Sequence, residues 1–402
     1  MLRAFPERFL LGCATSAHQV EGGNTGNDWW AWEAAPGRIC DGSRSGDACG
    51  WWSGRAEADL TLAAELGQNA HRLSLEWSRL EPEPGRYDAA AFDRYEHLLA
   101  HLRRVGMRAM ATVNHFTLPR WAGARGWMTP GLVSRFAALA SECARRLGSL
   151  VDLWATLNEP LVLAVMAYLG RAWPPGDGDA VSCVRAVRRL REAHLEAHAA
   201  IHRERPSAQV GIVLNMPVFA PARARDPRDR AVARLQHLLF NELFLRSLAR
   251  RYEFIGLNYY GRYAVRFDLG AAGYVFGRHV QRPTVATAHT DWGQIYPGGL
   301  TEQLVALSSY GVPVYVTENG VFDNDDLLRT AFLRDHLAAV LDALQRGADV
   351  RGYFHWSLVD NFEWAEGWSA RFGLVAVDPT TQRRTPKASA AAYAAICRAR
   401  GL

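Results

Sequence analysis

Leu153-Trp-Ala-Thr-Leu157 runs straight into Asn158-Glu159-Pro160, and Val314-Tyr-Val-Thr317 runs straight into Glu318-Asn319-Gly320. Each is a short apolar run with the length of a buried strand, and each stops at a carboxylate. Six further runs share that form, so the predicted strands are 9–14, 70–75, 108–113, 153–157, 210–214, 254–257, 314–317 and 352–356. Between them lie stretches whose apolar residues recur at helical spacing: 55–66, 91–105, 132–147, 183–203, 231–250, 300–310 and 327–345. Strands that alternate with amphipathic helices predict a parallel sheet with helical crossovers. Eight such units predict an α/β fold: a single (β/α)8 TIM barrel over residues 1–402.

Composition agrees with that architecture. A closed barrel takes 402 residues without splitting, and 49% hydrophobic with 22% charged residues suits a large buried core. The net charge of +5 does not single out a nucleic-acid partner, because the arginines are spread along the chain among acids. Fourteen tryptophans fill core space, and the same residue can stack on sugar faces. The six cysteines form no CxxC pair, no Gly-rich phosphate loop follows a strand, and no His/Asp/Glu cluster shows metal-ligand spacing. No cofactor or metal is therefore expected. Neither a signal-like apolar stretch nor a membrane-length segment stands out, which makes cytoplasmic residence, away from membranes, the expectation.

Polar and aromatic clusters close nearly every predicted strand. Ser16-Ala-His18-Gln19 follows the first, Glu76-Trp77-Ser-Arg79 the second and Asn114-His115-Phe116 the third. Asn258-Tyr259-Tyr260 ends the sixth, and the eighth leads from His355-Trp356 into Asp360-Asn361-Phe362-Glu363-Trp364. The carboxyl ends of barrel strands share one face, where such barrels carry their active sites. Glu159 and Glu318, on strands four and seven, stand across the ring from each other. Two carboxyl groups flanking a glycosidic bond can cleave it, one protonating the leaving oxygen and the other attacking the anomeric carbon. Which glutamate does which is open at this level.

The strings Thr156-Leu-Asn158-Glu159-Pro160 and Val316-Thr317-Glu318-Asn319-Gly320 resemble the two catalytic signatures of glycoside hydrolase family 1. The likeness covers almost the whole chain. Phe9-Leu-Leu-Gly-Cys-Ala-Thr-Ser-Ala-His-Gln-Val-Glu-Gly, Arg72-Leu-Ser-Leu-Glu-Trp-Ser-Arg79, Gly256-Leu-Asn258-Tyr-Tyr260 and Asp360-Asn-Phe-Glu-Trp364 follow the family's other motifs in order. The resemblance, nearest to bacterial and archaeal β-glucosidases and β-galactosidases, implies a retaining β-glycosidase acting on terminal β-D-glucosyl residues of β-glucosides or short β-linked oligosaccharides. Galactosyl and fucosyl residues stay open.

The same resemblance implies roles. Glu159 becomes the acid/base and Glu318 the nucleophile, with Arg72 and Tyr260 beside it and Asn158 holding the sugar 2-hydroxyl. Gln19, His115, Asn258, Glu363 and Trp364 line the sugar site. Trp356 supplies its apolar floor, and Phe372 closes it near the 6-position. Read without the family, His115 and Trp356 are ordinary core residues and Gln19 a loop cap.

Three departures qualify the likeness. The chain is shorter than most family members, with the deficit between Asn241 and Glu253, read as shortened top-face loops and a wider entrance for bulky aglycones. His18 and His355 stand where other residues are usual. Gln294 replaces a common Trp near the aglycone site, with Trp292 two residues earlier. Glu363 would repel a 6-phosphate, which disfavours a phospho-glycosidase, and Glu159 disfavours a plant-type thioglucosidase. A non-catalytic sugar-binding barrel and a transglycosidase remain as alternatives.

Overall fold

The computed structural model describes residues 3–271, 275–280 and 293–402. Eight parallel strands close into a barrel: β1 Leu10–Ala14, β2 Ala70–Ser74, β3 Arg108–Asn114, β4 Leu153–Asn158, β5 Val210–Asn215, β6 Phe254–Asn258, β7 Val314–Asn319 and β8 Val350–Trp356. Each pairs with its neighbours in sequence, and β1 closes the ring on β8, with Leu10 opposite Gly352 and Ala14 opposite Trp356.

Alternation along each strand sorts its side chains. In β2, Ala70 joins a cluster inside the barrel with Leu10, Met110, Leu153, Phe254 and Phe354. Leu73 turns outward into the larger cluster between strands and helices. Arg72 has the inward parity of Ala70. A guanidinium there is wholly buried, so its donors need partners within the barrel mouth.

All eight predicted strands are present, most of them extended by a residue or two. The helix 132–147 matches to the residue. Others shift for local reasons. The helix read as 183–203 begins at Ala180, because Asp179 caps it by accepting from the Ser182 N–H. The one read as 231–250 starts at Pro227 under an Asp226 cap and is interrupted by a π-helical turn, Leu238–Glu242. A C-terminal helix, Ala388–Ala399, was not foreseen, since its alanine-rich run has few large apolar residues to reveal a period. It completes the helix layer, with Tyr393 donating to the carbonyl of Gly12 in β1 at 2.8 Å.

The expectation of shortened top-face loops needs correcting. The tight connection between Asn241 and Glu253 enters β6 at its amino end, where the Glu253 N–H bonds the carbonyl of Val210, the first residue of β5. That is the face away from Glu159 and Glu318, so the shortening there opens no entrance above them. On the carboxyl-end face, the loops after β5 and β6 build a three-stranded sheet from Val218–Pro221, Arg262–Phe267 and Gly277–Val280. Gln294 is buried beside it, bridged to Arg262 through backbone and side chain. Trp292 lies outside the described residues.

Candidate active site

Glu159 follows the last residue of β4 and precedes Pro160, which starts a helix. A residue before proline favours extended backbone, yet Glu159 adopts the left-handed conformation, φ 44° and ψ 58°. Phe116 and Trp364 also have positive φ, at 72° and 47°. Strained bulky residues persist where their surroundings over-determine them, often at functional sites. All three sit at the barrel's carboxyl-end face, and Trp364 packs edge-on against Phe116.

From Glu159 a chain of hydrogen bonds crosses the barrel to Glu318. Asn258 Nδ2 donates to Glu159 Oε1 at 2.7 Å and to Asn158 Oδ1 at 3.2 Å. Arg72 Nη2 donates to the same Asn158 oxygen at 2.7 Å, and its Nη1 reaches Glu318 Oε1 at 2.5 Å. Arg72 Nε is satisfied by Thr112 at 3.1 Å. Tyr260 donates to the second oxygen of Glu318 at 2.6 Å. Thr317 donates to Asn258 Oδ1, which leaves the amide of Asn258 free to serve Glu159. Both glutamates therefore face one polar centre.

Their surroundings differ in charge. Burial raises Glu159, and the Glu318 charge adds to it; amide hydrogen bonds from Asn258 and Asn215 and the more distant Arg72 oppose, leaving it pushed up to about 8. Burial also raises Glu318, and although the Arg72 guanidinium beside it and the Tyr260 hydroxyl oppose this, its pKa stays above the ordinary carboxylate value. Tyr260 itself is held well above its ordinary value by burial and then by Glu318, so it remains a donor. One carboxyl is built to keep a proton near neutral pH. The other has a guanidinium at 2.5 Å that favours its ionised form.

The residues expected to grip a sugar gather around this pair. Gln19 Nε2 donates to Glu363 Oε2 at 3.0 Å and to Asn361 Oδ1 at 2.9 Å, while the Ser16 hydroxyl donates to Gln19 Oε1. Trp356 Nε1 lies 3.4 Å from the same Glu363 oxygen. Burial pushes Glu363 up to about 8, against the hydrogen bond from Trp356 and aided by the nearby Glu318 charge. Phe372 packs edge-on against Tyr260, with ring centroids 6.3 Å apart.

His115 has a defined tautomer. The Asn158 oxygen is occupied by Arg72, which can only donate, so Asn158 Nδ2 is the donor to His115 Nε2 at 3.0 Å. The ring is held neutral, its pKa well below the ordinary value through burial and then Arg72. Its proton is therefore on Nδ1, which is buried without a partner among the described residues. Trp356 and Trp364 both stack near this ring, each 5.9 Å away by centroid.

His18 stacks on Trp364 at 5.7 Å and accepts from Asn27. His355 faces the Phe372 carbonyl and is pushed down to about 3 by burial and then by Arg329. Asn215 was missed. It ends β5, opposite Asn258 in register, and donates to Glu159 Oε1 at 3.1 Å. Its position at a strand end was the available signal. Asn361 and Thr317 lie inside motifs already quoted but were given no role, and Thr112, within β3, stood in no quoted motif; all three orient the others.

Known proteins resemble the chain in both sequence and fold. The sequence model of the family described as Glycosyl hydrolase family 1 matches residues 1–249 and 234–402. Beta-glucosidase A of Thermotoga maritima is 33% identical over 448 aligned positions, covering 100% of this chain and 99% of its own. A beta-galactosidase of Pyrococcus woesei is 30% identical, covering 95% of this chain and 94% of its own. The solved structure of a beta-glycosidase from Pyrococcus horikoshii superposes with a TM-score of 0.91 at 36% identity, covering 100% of this chain and 96% of that one. By sequence and fold along its whole length, the chain belongs to glycosyl hydrolase family 1 and is a retaining β-glycosidase.

Proposed function

We propose that the chain hydrolyses terminal, non-reducing β-D-glucosyl residues of β-glucosides and short β-linked oligosaccharides, with Glu318 as nucleophile and Glu159 as acid/base. The observation that carries this assignment is the unequal environment of the two carboxyls. Glu318 has a guanidinium 2.5 Å away and a phenol at 2.6 Å, partners for a negative charge. Glu159 has amide donors alone among the described residues and is pushed up to about 8, as a proton donor requires.

In the first step Glu318 attacks the anomeric carbon while Glu159 gives its proton to the departing oxygen, leaving a glycosyl ester on Glu318. Glu159, now ionised, takes a proton from water. That water breaks the ester and returns Glu318 as a carboxylate. Asn158 serves the 2-hydroxyl. Gln19, His115, Glu363 and Trp364 serve the remaining hydroxyls, Trp356 offers a face for stacking, and Phe372 closes the site near the 6-position. Asn258 steers Glu159. Gln19 and Glu363 can bond either epimer at the 4-position, so galactosyl and fucosyl residues fall within the same reading. An alcohol can replace water in the second step and give transglycosylation.

A purely sugar-binding barrel is disfavoured, because both carboxyls keep complete sets of supporting partners. Among the described residues no helix is long and apolar enough to cross a membrane. The reading places the chain in the reducing cytoplasm, where the buried Cys13, Cys49, Cys143, Cys183 and Cys397 stay unbridged.

Azide rescue tests the assignment. With nitrophenyl β-glucoside, Glu159→Ala should form its glycosyl ester and release a β-glucosyl azide, and Glu318→Ala should release the α-azide. The same anomer from both variants overturns the roles.

A further inference from the structure

His198 and His202 lie one turn apart on the helix Ala180–Glu204, so their rings project from the same face. Their centroids are 4.5 Å apart. Glu253, the residue before β6, meets both: His198 Nε2 lies 3.2 Å from one carboxylate oxygen and His202 Nε2 lies 3.0 Å from the other. The ligand atoms of the three residues all lie within 4.8 Å of one another. Ligands in a tetrahedral zinc site with bonds of about 2.1 Å stand roughly 3.4 Å apart, so small rotations would bring these three onto one ion.

The hydrogen bonding points the same way. His202 Nδ1 lies 3.2 Å from the carbonyl of Pro206 while its Nε2 faces Glu253, so both ring nitrogens meet acceptors. A neutral imidazole carries one N–H and cannot satisfy both. Protonation of the ring resolves this, and so does a metal cation at Nε2 with Nδ1–H donating to the carbonyl, the outer arrangement that fixes a metal-bound histidine. Glu253 is also held by the Val210 N–H, which donates at 3.0 Å to the same carboxylate oxygen that faces His202. His194, one turn earlier, is not part of the set, because Thr156 and the Arg251 carbonyl occupy its nitrogens at 2.7 Å each.

His202 and Glu253 are 25% and 32% exposed in their side chains, enough for an ion to enter and keep a water as its fourth ligand. Two imidazoles and one carboxylate suit zinc and similar first-row divalent ions better than magnesium or calcium.

We propose that His198, His202 and Glu253 bind Zn2+, or a first-row divalent ion of similar ligand preference, at the amino-end face of the barrel. The ion ties the helix Ala180–Glu204 to the beginnings of β5 and β6. It sits at the opposite end of the strands from Glu159 and Glu318 and takes no part in glycoside cleavage. From sequence alone no metal was expected, because the two histidines four positions apart gain their third ligand only when the barrel brings Glu253 to them.

The test uses the full-length chain without a polyhistidine tag, stripped with a chelator and titrated with ZnCl2 by calorimetry, with a thermal scan alongside. Wild type should take up one equivalent and melt at a higher temperature. His202→Ala and Glu253→Gln should each lose about tenfold or more in affinity and lose the thermal gain, while nitrophenyl glycoside turnover stays unchanged. Far-ultraviolet circular dichroism shows whether each variant is folded. If one is not, the other decides. A wild type that takes up no zinc, or zinc binding undiminished in the folded variants, overturns the proposal.

Discussion

Arg72 Nη1 lies 2.5 Å from Glu318 Oε1, and both side chains are buried, at 1% and 4% exposure. Arg72 reaches this position from inward-facing β2, across the barrel from β7. A guanidinium lost here leaves a buried carboxylate without compensation. The same guanidinium also holds Asn158 by its oxygen, so one residue sets the charge of Glu318 and the orientation of Asn158.

Replacing Arg72 by Met should therefore do two things. Glu318 loses the main influence that offsets its burial, so it stays protonated to higher pH, and the acid limb of kcat/KM moves upward. Loss of a preorganised charged donor should also lower kcat by about a hundredfold or more. Arg72→Lys keeps the charge but not the fork that serves Thr112, Asn158 and Glu318 together. It should retain the wild-type acid limb while still losing rate. An unmoved acid limb in Arg72→Met would contradict this account. So would full activity in Arg72→Lys.

Glu159 gives a second prediction with a definite sign. Its folded pKa of about 8 lies above the ordinary carboxylate value of 4.5. Relative to an unshifted group, the folded state binds more protons between those values, so stability falls as pH rises through that window. Glu159→Gln removes the titration. The variant should be more stable than wild type, by on the order of 1–2 kcal/mol, with the gain larger at pH 8 than at pH 5. On a nitrophenyl glycoside the wild type should show an alkaline limb of kcat/KM near pH 8 that Glu159→Gln lacks, while a dinitrophenyl glycoside, whose leaving group needs no acid, should show none with either protein. Denaturant melts at the two pH values supply the comparison, and a smaller gain at pH 8 would refute the assignment.

How much of this was legible in the sequence follows from what carries each feature. Strands announced themselves because a buried parallel strand must be apolar along its length, as Val314–Val316 is, and because the polar residue ending each run breaks that pattern. Asn158, Glu159, Asn258 and Glu318 were visible for that reason. The positive φ of Glu159 was not, since Pro160 argues for extended backbone there. The tautomer of His115 depends on Arg72, 43 positions away from it in the chain. The face on which the chain is shortened was misread because sequence gives the place of a gap along the chain but not which end of the barrel it occupies. Glu253 reads as an ordinary strand-leading acid until the barrel folds it against His198 and His202.

The tautomer of His115 leads to the last prediction. With Nε2 occupied by Asn158 and the ring neutral, the Nδ1–H is a buried donor with no acceptor among the described residues. A buried donor left unpaired costs about 1–3 kcal/mol, which a sugar hydroxyl bonded there would recover. His115→Phe keeps the ring stacked beside Trp356 and Trp364 and deletes only the polar atoms. It should lower kcat/KM for nitrophenyl β-glucoside by roughly ten- to a hundredfold. Across the monodeoxy nitrophenyl β-glucosides, the wild type and His115→Phe should differ least on one compound, the one lacking the hydroxyl that Nδ1–H holds. A defect of equal size on every deoxy substrate would show that His115 acts through packing alone.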